Sequence, residues 1–268
     1  MEVYLAEYFE SWNRIYKGGM NMFHKLFNGR RKMVMITALA VMFGILLTLP
    51  THAGFIFNNH KILAVFVATP PGDPVHKQAE QARRAAVTAA IQVREAFINF
   101  LRSTGLYEQA ELAKLLGDEI KMRALHKQAV ESIRDSLKAI EEAIDSYKQH
   151  QEAWLTIHTA FKGGKLSPEA KRAYEAFLKA AAEIGWSIEA DFAGYFDYLG
   201  RLKIQTSELL QLLEITPPCF PVQSQQQQLL EAQGRSTFKE WLQALAFVER
   251  ASALSTEATR RALKSLGL

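Results

Sequence analysis

The chain has 268 residues, of which 49% are hydrophobic and 22% charged, a composition typical of a folded protein and not of a disordered one. Its formal net charge is +4, but residues 1–53 hold six basic and three acidic residues, so the remaining 26 basic and 25 acidic residues nearly balance. Nucleic-acid-binding proteins usually concentrate a basic surplus on one face, and we therefore expect no nucleic-acid partner.

An uncharged apolar stretch at residues 33–49 follows the basic triplet Arg30-Arg31-Lys32. After it, Thr51-His52-Ala53 has the small residues of a signal-peptidase site. The stretch is slightly long for a signal peptide and slightly short for a spanning helix of about 20 residues, so a cleaved signal and a retained anchor are both open. Either one predicts that residues 54–268 lie outside the cytoplasm, periplasmic or secreted, or anchored in the inner membrane.

These features divide the chain into four parts. The parts are a cytoplasmic extension at 1–32, a signal peptide or transmembrane anchor at 33–53, an extended linker at 54–72 and a helical domain at 73–268. The extension is unusually long for the basic part of a signal peptide, which favours a true translation start at Met20 or Met22.

Helical patterns fill residues 73–268. Asp73-Pro74 predicts a first helix that ends near Thr104, before Gly105, and a second is expected from Tyr107 to Phe161, bent near Gly117. A third is predicted from Pro168 to Ile184 and a fourth after Gly185, kinked or broken at Gly194 and Gly200. A loop is expected at 216–224. Ser236 is a candidate cap of a further helix through Glu249, and Ser255 or Thr256 of the last one. Without any alternating strand pattern, the chain predicts an all-α bundle of five to six helices, some of them long.

A seam of large residues runs along the second predicted helix. Its members alternate spacings of three and four, the period of a coiled coil: Val130, Ile133, Leu137, Ile140, Ile144 and Tyr147. The seam covers fewer than three heptads, which favours an antiparallel partner within the chain over a coiled coil between chains. It is the candidate surface for protein partners or self-association through helices.

Aromatic residues concentrate in the fourth predicted helix: Trp186, Phe192, Tyr195, Phe196 and Tyr198. They form a candidate ligand or partner patch, although filling the gaps beside the glycines is the interpretation that the pattern favours. Cys219, the single cysteine, excludes an intramolecular disulfide and is a candidate intermolecular thiol, with an unremarkable loop thiol as the favoured alternative.

Motifs for catalysis or metal binding are missing from the sequence. His150 and His158 are eight residues apart, about 12 Å along a helix, which is too far for one zinc ion. Glu189 and Asp191 fall on different helix faces, and no HExxH, GxGxxG, P-loop or GxSxG motif occurs. We therefore expect no metal, no cofactor and no catalytic residue.

The predicted function is that of a non-enzymatic, envelope-associated helical interaction or assembly protein, of the secretion, conjugation or periplasmic-adaptor type. One alternative is a membrane-inserting protein, pore-forming or lytic, which the apolar segments 33–49 and 62–68 suggest. A second alternative is an enzyme whose site in the bundle core is assembled from distant residues.

Overall fold

A computed structural model describes residues 74–218 and 225–267, and within these ranges the chain forms five α-helices and no strand. In chain order the helices are α1 (Pro74–Leu115), α2 (Glu119–Lys162), α3 (Pro168–Glu183), α4 (Ile188–Ile215) and α5 (Gln225–Ser265). The prediction of an all-α bundle is confirmed. The predicted extension, targeting segment and linker at 1–72 lie outside the described residues.

The first two helices form a long antiparallel hairpin whose turn lies at Gly117. α1 continues through Gly105, which has no positive φ and at which a Cβ would meet nothing within 4 Å. Gly117 has a φ of 79°, in the left-handed region that glycine adopts without a steric penalty. Asp118 then caps α2 by accepting a hydrogen bond from the Lys121 N–H at 3.0 Å. The predicted helix boundary at 104–107 is therefore wrong.

α1 and α2 meet through residues that recur at every seventh position. The α1 series is almost entirely small and at most 4% exposed: Val75, Ala82, Ala89, Ala96, Ser103 and Ala110. The α2 series is also buried: Ala129, Ser136, Ala143, His150 and Ile157. A seven-residue repeat keeps two helices in contact over many turns, and alanine and serine allow the helix axes to come closer than leucine would.

Three of these contact layers carry a hydrogen bond from a side chain on one helix to a main-chain carbonyl on the other. They join Ser103 Oγ to Ala129 O at 2.8 Å, Ser136 Oγ to Ala96 O at 2.7 Å and His150 Nδ1 to Ala82 O at 2.9 Å. A serine hydroxyl reaches only one bond beyond Cβ, so these distances require the two main chains to be close. The residue numbers rise along α1 as they fall along α2, and the bonds therefore fix the antiparallel register.

The other helices complete the bundle. α4 runs antiparallel to α2, as the Arg134–Glu214 pair at 2.6 Å and the Lys203–Glu141 pair at 2.9 Å show. α5 packs on α4, and α3 packs on α5. Phe97 of α1 also meets Trp241 of α5, with ring centroids 5.3 Å apart. Within the described residues, all four long helices thus contribute to one packed structure.

Of three further helix predictions, one is wrong, one is wrong in its expectation of a break and one is confirmed. α4 is a single helix through Gly194 and Gly200, and α5 is a single helix through Ser236 and Ser255, so the expected breaks and caps are not found there. α3 begins at Pro168 as predicted, because the Ser167 side chain accepts from the Ala170 N–H at 3.2 Å and proline suits the first helical position.

Packing at the α1–α2 contact leads to a first prediction. Ala143→Leu should destabilise the fold by about 1–3 kcal/mol or more, because the added atoms have to separate two main chains that are held close by small residues. The free energy of unfolding is to be measured by urea denaturation.

Ala124→Leu is the matched control, since Ala124 lies on the exposed side of the same helix. This control should change stability by less than about 0.5 kcal/mol. Equal effects of the two substitutions would contradict the assignment of the seven-residue series as the tightest contact in the fold.

Candidate functional site

Most of the seam predicted on α2 lies in the central core, to which α1, α4 and α5 also contribute. Val130, Ile133, Ile140 and Tyr147 are buried in the central core, and Ile144 packs against it while half-exposed. Tyr147 stacks on Tyr195 of α4 with ring centroids 4.2 Å apart. Leu137 is half-buried, between the positions whose ion pairs reach α4. Large residues of the seam therefore contribute to intramolecular packing in this structure.

The aromatic patch on and before α4 is distributed through the core. Trp186 and Phe192 belong to the cluster at the base of the bundle, which we define as the end formed by the α2–α3 and α3–α4 turns. Tyr195 belongs to the central cluster, and Phe196 packs against both. Tyr198 is half-buried beside Phe247, and the Arg201 guanidinium lies 4.5 Å above its ring. The structure thus places these residues in packing contacts.

Gly194 explains why α4 and α5 can pack around these rings. A Cβ at this position would lie 2.2 Å from Cζ of Phe247, well inside van der Waals contact. Phe247 has little freedom to move, since its ring meets Tyr195 at 5.2 Å and Tyr198 at 4.9 Å. The glycine serves close approach and does not break the helix.

His150 is the most strongly perturbed histidine of the described residues. It is 5% exposed, and burial lowers its pKa from the ordinary value of 6.5 to about 4. The Ala82 carbonyl can only accept, so Nδ1 carries the proton and the ring is neutral near pH 7. The Phe192 ring lies 5.0 Å away. His150 therefore acts as a hydrogen-bond donor that joins α2 to α1.

Asp191 lies in the same part of the bundle and is perturbed in the opposite sense. Burial raises its pKa from 3.8 to about 6, while a hydrogen bond from Trp186 Nε1 at 2.8 Å and the charge of Arg250 oppose that rise. Its charge in turn contributes to the raised pKa of Tyr147, which is due mainly to burial. Glu189 instead accepts from the exposed Ser187 hydroxyl at 2.7 Å. The two carboxylates thus have separate partners.

The histidine pair does not converge. His158 Nδ1 lies 2.7 Å from the hydroxyl of Tyr174 on α3, whereas His150 points to Ala82 on α1. Across residues 74–218 and 225–267, no group of three or more metal-ligating side chains comes together. Cys219 falls outside the described residues, so its role as an intermolecular thiol stays a prediction.

The hairpin turn carries a surface that the sequence reasoning missed. Leu112, Leu115, Leu116 and Ile120 are 47%, 56%, 75% and 86% exposed, and we call these four residues the hairpin apex. They are four of the ten large hydrophobic residues exposed in the described part of the chain, yet they fall within nine positions. The signal was visible in the run Leu115-Leu116-Gly117-Asp118, in which a turn glycine and a capping acid follow two leucines.

Comparison with known proteins leaves the function open. No protein-family model matches the chain, and no curated protein or solved structure is significantly similar to it. Among the five helices of residues 74–218 and 225–267, none is both long and apolar enough to cross a membrane.

Gly194 supplies a second prediction. Gly194→Ala should lower the free energy of unfolding by about 1–2 kcal/mol, since the cost of overpacking against Phe247 exceeds the roughly 1 kcal/mol that alanine gains over glycine in a helix. Thermal or urea denaturation measures the change.

Gly200→Ala is the control, about one and two-thirds turns further along α4. A Cβ at Gly200 meets nothing within 4 Å, so this substitution should raise stability by up to about 1 kcal/mol. A stabilising Gly194→Ala would show that the α4–α5 contact is looser than described.

A third prediction concerns the pH dependence of His150. Because its folded pKa of about 4 lies below the unfolded value of 6.5, the unfolded chain binds the proton first as pH falls. The contribution of neutral His150 to the free energy of unfolding is therefore complete above pH 6.5. It falls by up to about 3 kcal/mol as the pH falls from about 6.5 to about 4. The difference in unfolding free energy between the wild type and His150→Gln should shrink by that amount between pH 7 and pH 4.

Asp191→Asn tests a pH dependence of stability in the opposite direction. The raised folded pKa of Asp191 makes its contribution greatest below pH 3.8 and lost as pH rises through about 6. The wild type should therefore gain stability relative to Asp191→Asn as pH falls, over the range in which it loses stability relative to His150→Gln. A pH-independent difference for either variant would contradict the burial of that group.

Proposed function

We propose that this chain is a non-enzymatic, envelope-associated helical protein that acts through contacts with other proteins, as an assembly component or adaptor. The observation that carries the proposal is that His150, His158 and Asp191 are each engaged in a structural hydrogen bond, the two histidines between helices and Asp191 at the start of α4. His150 binds the Ala82 carbonyl, His158 binds Tyr174, and Asp191 binds Trp186. Groups engaged in this way hold a scaffold together and are not arranged around a shared reaction centre.

The shape of the α1–α2 hairpin supports this role. α1 has 42 residues and α2 has 44, so each helix is about 65 Å long at 1.5 Å per residue. The close seven-residue contact stiffens both helices along this length. A long, stiff hairpin suits a protein that has to present surfaces at a distance from its attachment point, and the predicted signal or anchor at 33–49 favours attachment to an envelope.

A candidate protein-binding face lies on the outer side of α1. Ile91 and Ile98 are 46% and 40% exposed and are seven residues apart, so they lie on one line along the helix. Each is two positions from Ala89 or Ala96, which turns it roughly 200° away from the contact with α2. Exposed aliphatic residues on a regular helical face are the kind of anchor that a partner helix uses.

Site-specific photocrosslinking in the native cell tests the proposed function. A benzophenone residue at Ile98 should yield a protein adduct of defined size in the envelope fraction, and the same residue at Glu142, on an exposed position of α2, should yield none. Intact mass in that fraction should match either the whole chain or Gly54–Leu268. A cytoplasmic chain without adducts at Ile91 and Ile98 would contradict the proposal.

The membrane-inserting alternative has one observation in its favour, the apolar hairpin apex. It does not require a helix that spans the bilayer, since a short apolar surface can enter the boundary between headgroups and acyl chains.

A further inference from the structure

The first part of α1 is attached to the bundle through small side chains. Every buried residue between 76 and 88 is an alanine, whereas the turns that follow bury Phe97, Phe100 and Leu101. We call residues 76–88 the entry segment. Alanine removes little apolar surface from water when it is buried. The hydrophobic effect therefore holds the entry segment to its neighbours less strongly than it holds the rest of α1.

Polar contacts between the entry segment and other helices are equally few. Within the described residues, one side-chain hydrogen bond joins the segment to another helix, from His150 Nδ1 on α2 to the Ala82 carbonyl. The ion pairs of the segment lie inside it, because Glu80 binds both Arg83 and Arg84. The attachment of the entry segment thus depends on one histidine more than on any other polar side chain.

The two serine bonds to main-chain carbonyls across the α1–α2 contact do not titrate. Ser103 and Ser136 donate them, and a serine hydroxyl does not ionise at neutral or mildly acidic pH. The bond from His150 is the one nearest to the start of α1. A proton taken up by His150 therefore acts on the α1–α2 contact at the entry segment and not at the two serine layers.

No acidic side chain within the described residues forms an ion pair or a hydrogen bond with His150. Its ring is 5% exposed, and the two causes that act on its pKa are burial and the Ala82 carbonyl. The ring faces Phe192 of α4 at 5.0 Å, beside Asp191, which accepts from Trp186 and is itself neutral well below its pKa of about 6. The other titratable or charged side chains on the helices around it are His76, Lys77, Glu80, Arg83 and Arg84 on α1, Tyr147, Lys148, Glu152 and His158 on α2, Tyr174 on α3, Tyr195 on α4, and Arg250 and Glu257 on α5.

The acids of that set are engaged elsewhere or exposed. Glu80 and Glu257 each bind two arginines of their own helix, and Glu152 is exposed on α2. A charge on His150 is therefore buried without compensation as long as the entry segment stays in place, and burying an unpaired charge is costly.

We propose that the entry segment is an acid-sensitive attachment: protonation of His150 releases residues 76–88 from α2 while the rest of the bundle stays folded. Isolated helices shorter than about 12–15 residues are marginal in water, so the released segment loses its helical hydrogen bonds. The inference goes beyond the proposed function, because it adds a regulated step at the point where residues 54–72 join the bundle.

The direction and size of the effect follow from two protonation states. In the released segment His150 has the ordinary pKa of 6.5, and in the closed bundle burial lowers that pKa to about 4. Acid therefore favours release between these two values. Release should become about 50- to 100-fold more frequent at pH 4.5 than at pH 7.5.

Hydrogen–deuterium exchange of the full chain, measured by mass spectrometry on peptides within 76–88 and 96–110, tests the inference. Each rate is divided by that of the unfolded chain at the same pH, which removes the chemical pH dependence of exchange. Protection of 76–88 should fall about 50- to 100-fold from pH 7.5 to pH 4.5 and should not depend on low concentrations of urea, because a local opening exposes little surface. Protection of 96–110 should be higher at both pH values and should decrease with urea.

His150→Asn identifies the group that takes up the proton. The asparagine amide nitrogen takes the place of Nδ1 and can donate to the Ala82 carbonyl, but it does not titrate. The acid-dependent loss of protection at 76–88 should disappear in this variant. His126→Gln is the matched control, since His126 is an α2 histidine whose Nε2 lies 2.8 Å from the Leu213 carbonyl of α4. The acid-dependent loss should be unchanged in it.

His76→Asn keeps the inference testable if His150→Asn does not fold. His76 lies in the entry segment, and its buried Nδ1 has no hydrogen-bond partner within the described residues. The acid-dependent loss should persist in this variant, and its disappearance would assign the effect to His76 and overturn the role of His150.

Three further results would overturn the inference. Equal protection and equal urea dependence of 76–88 and 96–110 would show that acid acts only by unfolding the whole bundle. Unchanged protection of 76–88 between pH 7.5 and pH 4.5 would exclude release by a proton. An acid-dependent loss that survives in a folded His150→Asn chain would show that another group controls it. Each result leaves the crosslinking test at Ile98 intact, so failure here is distinguishable from failure of the proposed function.

Discussion

Ser103, Ser136 and His150 reach main-chain carbonyls across the α1–α2 contact, and they can do so because the residues between them are mostly alanine. The close approach and the hydrogen bonds depend on each other. Small side chains bring the carbonyls of one helix within reach of the other, and the bonds satisfy donors that would otherwise be buried at a cost of about 1–3 kcal/mol each. The bonds also fix the register, since a shift of one residue would turn the small series away from the contact.

The separation of small and large residues on α2 also determines which side chains fill the central core. Because the closest α1–α2 contacts use alanine and serine, the large residues Ile133, Ile140 and Tyr147 of α2 are available to the central core, where Tyr147 stacks on Tyr195 of α4. α4 provides the matching surface through Tyr195 and Leu202, and Gly194 lets α5 approach it closely enough for Phe247 to meet Tyr195. Burial of these large side chains supplies the hydrophobic stabilisation, whereas the α1–α2 contact supplies stiffness and alignment.

Periodicity and capping signals were sufficient to predict the helical class, the start of α3 and the buried part of the α2 seam. The turn at Gly117 was placed wrongly at Gly105, because both glycines suit a helix end and only the tertiary contact of Ala110 and Ala113 with Met122 shows which one is used. The pairing of α2 with α1 through small residues was not assigned for a related reason. Alanine and serine contribute little to a hydrophobic pattern. On α2 the large residues three and four apart are therefore more conspicuous in the sequence than the small residues that meet α1. The separate partners of His150 and Asp191 depend on helices that are distant in sequence, which periodicity does not reveal.

The exposed residues of the hairpin apex are not needed for the stability of the hairpin itself. A hairpin held by small residues along its length does not need Leu116 or Ile120 for its stability, since both side chains are largely in water in the folded chain. The buried cluster beneath them consists of Ala110, Ala113 and Met122 and packs only Leu125 besides, so the apex contributes little to the core. These four exposed aliphatic residues are therefore not explained by the packing of the described bundle.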